Sequence, residues 1–165
     1  MSHEREPTNT PARPEEPGPP ESLDLSEEPG PPEAPDLSVV IPAYNERHRL
    51  TATLDALTDY LSVDEPRWGS WEIVVADDGS TDGTGDLVTA RRDPRLRLVT
   101  GEGNRGKGHA LRLGVAVSRG HRVLVTDADL ATPIEELERL DKALGEGDCA
   151  AIGSRSVPGA TIGAR

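Results

Sequence analysis

Residues 37–165 are predicted to form an α/β fold, a mostly parallel, Rossmann-like sheet flanked by helices, on three observations. Short aliphatic runs at 37–41, 71–76, 95–99, 122–126 and 149–152 alternate with stretches of helical period. With two Trp, two Tyr and no Phe, the core has to be built from Val, Leu, Ile and Ala, as in sheets covered on both faces. The polar residues gather where the aliphatic runs stop, and in open parallel sheets that rim is where ligands bind.

Residues 1–36 hold ten of the 15 prolines and ten acids against Arg5 and Arg13, with Leu23 and Leu25 almost their only large apolar side chains. Such a stretch cannot bury enough surface to offset its chain entropy, so a disordered acidic tail is expected. After the run at 37–41, Leu50, Leu54, Leu57 and Leu61 recur at helical spacing, one apolar stripe on a helix starting near Glu46. Trp68 and Trp71, on either side of Gly69-Ser70, are expected to pack in the core. A helix over 107–118 should turn Ala110, Leu111, Gly114, Val115 and Ala116 inward. Thr132-Pro133-Ile134-Glu135 combines a capping hydroxyl, proline at the first helical position and an early acid, so another helix should run from there to about Leu144. Strand and helix alternating in this order make βαβ units.

Charge narrows the function. The 165 residues carry 30 Asp and Glu against 18 Lys and Arg, a formal charge of −12. A nucleic-acid binder would present a basic face, and a surface held to anionic lipid by general charge would need the opposite balance. Arg91, Arg92, Arg95 and Arg97 form one local basic cluster, expected to be a solvated face, with lipid headgroup contact as the alternative. No run approaches the roughly 18 apolar residues of a spanning helix, and the first residues lack a basic-then-apolar leader, so a soluble chain is expected. Cys149 is alone, which suits the cytoplasm. His48, His109 and His121 show no metal-ligand spacing with it and are given no role.

Three runs end in dense polar sequence: Pro42-Ala43-Tyr44-Asn45-Glu46, Asp77-Asp78-Gly79-Ser80 and Asp127-Ala128-Asp129. Turns and helix caps use such residues anyway, but turns do not require adjacent carboxylates, whose repulsion needs compensating positive charge. Residues 101–107, Gly-Glu-Gly-Asn-Arg-Gly-Lys, fit both the GxxxxGK of a phosphate loop and the GxGxxG of a dinucleotide fold. Gly108 stands where a phosphate loop has its metal-binding hydroxyl, and neither motif uses the first two strand ends. A third reading starts from Asp127 and Asp129, which would point the same way if the chain stayed extended. Two such carboxylates suit Mg²⁺ or Mn²⁺ completed by diphosphate oxygens and water. A diphosphate implies a nucleotide, with Asp77 or Asp78 accepting from a base N–H, Glu46 on a ribose hydroxyl and Tyr44 on the base.

The residues VIPAYNE (40–46), ADDGSTDGT (76–84), NRGKGHAL (104–111), TDADLATP (126–133) and IGSR (152–155) together resemble the family 2 glycosyltransferases of GT-A fold. Within these the chain is similar to polyprenyl- and dolichyl-phosphate hexosyltransferases, and DADLATP followed by GSR is closest to the dolichyl-phosphate β-glucosyltransferases. The mannosyl enzymes more often carry Gln where Ala131 stands. The resemblance implies that Pro42, Tyr44, Glu46, Ala76 and Asp78 line a nucleoside pocket and that Asp127 and Asp129 hold Mg²⁺ or Mn²⁺. Ala128 and Ala131 would lie beside the diphosphate, Lys107 near the donor, and Arg155 would face the phosphates. It implies hexose transfer with inversion from a nucleotide sugar, UDP-glucose or alternatively GDP-mannose, to a polyprenyl or dolichyl phosphate at the cytoplasmic side of a membrane. The fold is expected to be incomplete at its C-terminus, and this chain to transfer sugar slowly or not at all. A phosphate-loop hydrolase and a non-catalytic nucleotide-binding fragment are the competing readings.

Overall fold

The computed structural model describes residues 33–63, 65–145 and 150–153. Four parallel strands, β1 (Leu37–Ala43), β2 (Trp71–Asp77), β3 (Leu96–Thr100) and β4 (Arg122–Val125), lie in the order β3-β2-β1-β4. Between and after them run α1 (Arg47–Val63), α2 (Glu65–Trp68), α3 (Thr84–Ala90), α4 (Lys107–Val117), a 3₁₀ turn (Ile134–Glu136) and α5 (Leu137–Ala143). β1 is central, and the chain switches sides there, so the crevice outside the ends of β1, β2 and β4 is a topological switch point.

Alternation along the two inner strands assigns the layers. Val39, Ile41, Ile73 and Val75 meet the α1 leucines 50, 54, 57 and 61, together with Trp68, Trp71, Val88, Ile134 and Leu137, in one core. On the opposite face Val40 and Ala76 carry α4. A Cβ on Gly114 would come within 2.5 Å of Val40 Cγ1 and 3.1 Å of Ala76 Cβ, so this glycine sets how closely the helix approaches the sheet. As expected, both tryptophans are buried, with Arg95 stacked 4.1 Å from the Trp71 ring centroid.

Hydrogen bonding to the sheet starts just before β1: His121 N donates to Pro35 O, Arg122 N to Asp36 O, and Asp36 Oδ2 accepts from Ser70 N. Three expectations are corrected. Val115 and Ala116 of α4 face solvent, because the 3.6-residue period turns them away from the face on which Ala110 and Gly114 lie. The strand expected at 149–152 is not formed at Ala150–Ile152, which have no regular structure, while Cys149 lies outside the described residues. β4 is therefore one edge of the described strands, with β3 the other, and Val123 and Val125 are each 42 % exposed on it. Finally, Asp127 to Leu130 are not extended: Leu130 N closes a turn onto Asp127 O at 3.1 Å, with Leu130 itself at φ 47°.

Pole to pole, the sheet has unlike ends. At the amino-terminal pole Glu72, 1 % exposed, accepts from Ser38 Oγ (2.8 Å), Arg119 N (2.8 Å), Arg119 Nη2 (2.7 Å) and Arg97 Nη1 (3.1 Å). All of that carboxylate's capacity is spent internally. At the carboxyl pole Asp77 and Asp78 are buried as well, while Asp127 is half exposed.

Candidate functional site

Two loops at the carboxyl pole are laced into one unit. β1 ends at Ala43, whose carbonyl accepts from Asp78 N at 2.9 Å. Asn45, at φ 55°, accepts through Oδ1 from Thr81 N (2.9 Å) and donates its own N–H to Ser80 Oγ (2.9 Å). A left-handed backbone is something Asn tolerates well, which explains it at this corner. Glu46 N donates to Thr84 Oγ1, and Asp82 accepts from Arg47 N on one oxygen and from the Thr84 amide and hydroxyl on the other. Those bonds hold the Asp82 carboxyl below the usual carboxylate range, the Thr84 hydroxyl contributing most. Asp77 Oδ1 accepts from the amide and hydroxyl of Ser80.

A third loop, 101–106, is attached through Asp78. That residue is 1 % exposed, and its Oδ2 accepts from Arg105 N (2.8 Å) and Gly106 N (2.5 Å) while Oδ1 meets His109 Nδ1 at 3.1 Å. Burial pushes the Asp78 carboxyl up, but the His109 bond and the two amides outweigh it and hold it below the ordinary value. An ionised carboxylate only accepts, so His109 carries its proton on Nδ1. Gly79, at φ +82°, touches the same loop: a Cβ there would lie 2.9 Å from Gly103 Cα. Sequence reasoning gave His109 no role. Its histidine-sequence signal was invisible because the partner is 31 residues away and no metal spacing is involved.

The fourth contribution comes from the loop after β4. Lys107 Nζ, at the first position of α4, donates to Asp127 Oδ1 at 2.5 Å, with the two side chains 65 % and 48 % exposed. This is the compensating cation that crowded rim carboxylates require. Asp129 Oδ1 accepts from Ala131 N at 2.9 Å, an Asx turn within the same loop. Ala128 is buried, and its carbonyl accepts from Thr53 Oγ1 of α1 at 2.6 Å.

Of the expected site residues, all but Arg155 lie among the described residues. Tyr44, 42 % exposed just beyond β1, presents its ring at the rim. Pro42 and Ala76 are register partners buried in the sheet beneath it. β4 has left the ladder before Pro42, so its missing N–H costs no bond on that side. Glu46 pairs with Arg49 at 3.0 Å. Asp78 is committed to the loop and His109, so both its oxygens already have donors, where a base N–H was expected. Lys107, Asp127, Asp129 and Ala131 lie together on the β4 side, and Arg155 lies outside the described residues. Three arginines of the basic cluster are paired, Arg91 with Asp55, Arg95 with Asp93 and Arg97 with Glu72.

Asp127 has the chemistry of a hard-cation ligand: an exposed carboxylate oxygen already holding a cationic nitrogen. Among the described residues no third His, Cys, Asp or Glu gathers with Asp127 and Asp129, so remaining ligands would come from water and phosphate oxygens. The amides of Arg105 and Gly106, which a phosphate loop would aim at an anion, are donated to Asp78 instead, which removes the basis for that reading. Beyond them, α4 starts with no side-chain cap and no acid in its first turn. Cβ atoms on Gly103, Gly106 or Gly108 would meet nothing within 4 Å, so the rim there is open.

A parallel sheet of order β3-β2-β1-β4 with its polar loops gathered beyond the carboxyl ends of the strands defines an open α/β protein, the kind of sheet whose ligands sit at that rim. Residues 38–163 match glycosyl transferase family 2, and the chain belongs to that family. It is similar to dolichyl-phosphate beta-glucosyltransferases of Trichomonas vaginalis (44% identity, 64% of this chain and 32% of the relative) and Homo sapiens (39%, 66% and 36%). The Saccharomyces cerevisiae enzyme of the same name is 38% identical over 78% of this chain and 40% of its own length. The chain therefore spans about a third of the length of the curated relatives it matches. Among solved structures, the mannosyltransferase PcManGT from Pyrobaculum calidifontis, in complex with GDP-Man and Mn²⁺, is 37% identical with TM-score 0.50, covering 59% of this chain and 28% of that one. A mycobacterial protein gives TM-score 0.52 at 31% identity over 69% of this chain and 38% of its own. The fold and the family expected from the sequence are both borne out.

Proposed function

We propose that this chain is the donor-binding part of a dolichyl-phosphate β-glucosyltransferase, taking glucose from UDP-glucose. The observation that carries the reading is the Lys107–Asp127 pair, which sets one cation and one exposed carboxylate beside the uncapped start of α4 on the rim formed by the ends of β1, β2 and β4. The names of the curated relatives support glucose and a dolichyl-phosphate acceptor. Tyr44 offers an exposed ring for a base, and the bonds among Asn45, Ser80, Thr81, Arg47 and Asp82 tie the backbone that follows it to the neighbouring loop. The start of α4, with no acid in its first turn and open space at Gly106 and Gly108, favours an anionic diphosphate through its dipole.

A lipid phosphate oxygen attacks the anomeric carbon as the bond from that carbon to the diphosphate oxygen breaks, with inversion. The attacking oxygen is already ionised, because a phosphate monoester loses its second proton near about pH 6, so no general base is required. Charge accumulates on the departing diphosphate, and Lys107 and the α4 amides are the groups of this chain that meet it. Asp127 and Asp129 would hold Mg²⁺ or Mn²⁺, which when bound supplies further neutralisation of that charge. Arg155 is assigned to the phosphates by resemblance alone. The same reading puts the reaction at the cytoplasmic face of a membrane, where a lipid acceptor meets a soluble donor. No helix among the described residues is long and apolar enough to cross one.

GDP-mannose is the alternative donor, favoured by the likeness to the GDP-Man complex of PcManGT. Calorimetry with UDP-glucose, GDP-mannose and ATP in saturating Mn²⁺ separates the readings. UDP-glucose is expected to bind tightest. GDP-mannose leading would move the assignment to mannosyl transfer, and ATP leading would contradict sugar-nucleotide binding.

A further inference from the structure

The Lys107–Asp127 contact raises a question of occupancy, because Lys107 sits on the carboxylate that the proposed function assigns to a metal. We infer that Lys107 is a positioning residue that exchanges partners: it neutralises Asp127 in the free protein and moves to the diphosphate when a metal-bound nucleotide arrives. The inference rests on the reading of Asp127 as a metal ligand and adds to it an order of events.

Three observations carry it. Lys107 Nζ and Asp127 Oδ1 are 2.5 Å apart, close enough that a cation on that oxygen displaces the ammonium. The pair is solvent-exposed, 65 % and 48 % for the two side chains, so breaking it costs little and the lysine is free to swing on its four-carbon stem. Lys107 is also the first residue of α4, whose opening turn has neither cap nor acid, and a cation there is disfavoured by the helix dipole unless an anion is close. Asp78 already accepts from the Gly106 amide at that helix start, while Asp127 is the carboxylate that meets the Lys107 ammonium itself in the free protein, and a diphosphate at the open glycine rim takes over that second role in the complex.

Exchange makes metal and nucleotide bind cooperatively. Free Mn²⁺ has to evict Lys107 with nothing to receive it, whereas Mn²⁺ with a diphosphate supplies the lysine's next partner. Coupling of this kind is reciprocal, so each ligand tightens the other by the same factor.

Lys107→Met, measured by calorimetry on the full chain, tests this through two affinities that should move in opposite directions. Without nucleotide, Mn²⁺ is expected to bind roughly two- to fivefold more tightly, the range set by loss of an exposed ion pair. With Mn²⁺ present, UDP-glucose is expected to bind about tenfold or more weakly, since a charge-assisted contact is lost. Lys107→Arg, which keeps the charge, should leave free Mn²⁺ binding close to the wild-type value. If Lys107→Met leaves free Mn²⁺ affinity unchanged or weakens it while Asp127→Asn weakens it, the exchange is overturned and the metal site stands. If Asp127→Asn also leaves Mn²⁺ affinity unchanged, the metal reading falls and the exchange falls with it.

Discussion

Glu72→Ala is expected to cost about 3–5 kcal/mol of folding stability, the range for removing one member of a buried, hydrogen-bonded ion pair. The carboxylate is 1 % exposed and serves Ser38 Oγ, Arg119 N, the Arg119 guanidinium and Arg97 Nη1, so its loss strands at least one backbone amide and one hydroxyl at the floor of the sheet. Against a typical domain stability of roughly 5–15 kcal/mol, that is a large share of the folding free energy, and at the low end of the range it unfolds much of the population. Glu72 also sets an acid limit. Burial by itself raises its pKa, but the Arg119 amide, the Ser38 hydroxyl and the two guanidiniums outweigh it and hold the carboxyl below its ordinary value. A carboxylate depressed in the folded state contributes stability in full above its unfolded pKa, about 4.3 for Glu. That contribution is lost as pH falls through the lower folded-state value. Urea unfolding at pH 7 and pH 3 should therefore show a smaller wild-type to Glu72→Gln difference at the acid end. An equal difference at both would mean that the charge at this position is irrelevant.

Asp78→Ala is expected to detach loop 101–106 while leaving the sheet in place. The carboxylate is what the Arg105 and Gly106 amides and His109 share, and hydrogen bonds to a charged acceptor are the stronger kind. Amide hydrogen exchange in Arg105 and Gly106 should accelerate by roughly tenfold or more, the factor for losing one charge-assisted bond. Nucleotide affinity should drop with it, because Lys107 and the start of α4 are carried by that loop. Unchanged exchange rates would show that the contact between Gly79 and Gly103, rather than Asp78, holds the loop.

Much of this architecture was legible in the chain because it follows from local period. The leucines of α1, the aliphatic strands and the alternation of strand with helix dictate the parallel sheet and hence the rim. Parts that depend on distant partners were not legible. His109 pairs with a residue 31 positions away, and Glu72 looks like a surface acid in an aliphatic strand until Arg97 and Arg119 fold against it. Val115 and Ala116 look like core residues, yet the apolar face of α4 is narrow, with only Ala110 and Gly114 fully buried. Asp127 to Leu130 close into a turn because the Leu130 amide reaches the Asp127 carbonyl, which spacing alone does not reveal. The three strand-end motifs lie together at the carboxyl pole, but the burial of Asp78 beneath the 101–106 loop was not legible in their spacing, which left Asp77 and Asp78 both open as acceptors for a base.

The central claim, that this rim binds a nucleoside diphosphate sugar through a metal on Asp127, is tested most directly by titrating UDP-glucose into wild-type protein and Asp127→Asn, each with Mn²⁺ and with a chelator. Wild-type affinity is expected to fall by about tenfold or more on chelation, and the variant to bind weakly in both conditions, since a charge-assisted contact of that size is lost. Equal affinity of the two proteins, or wild-type binding indifferent to the chelator, would contradict it.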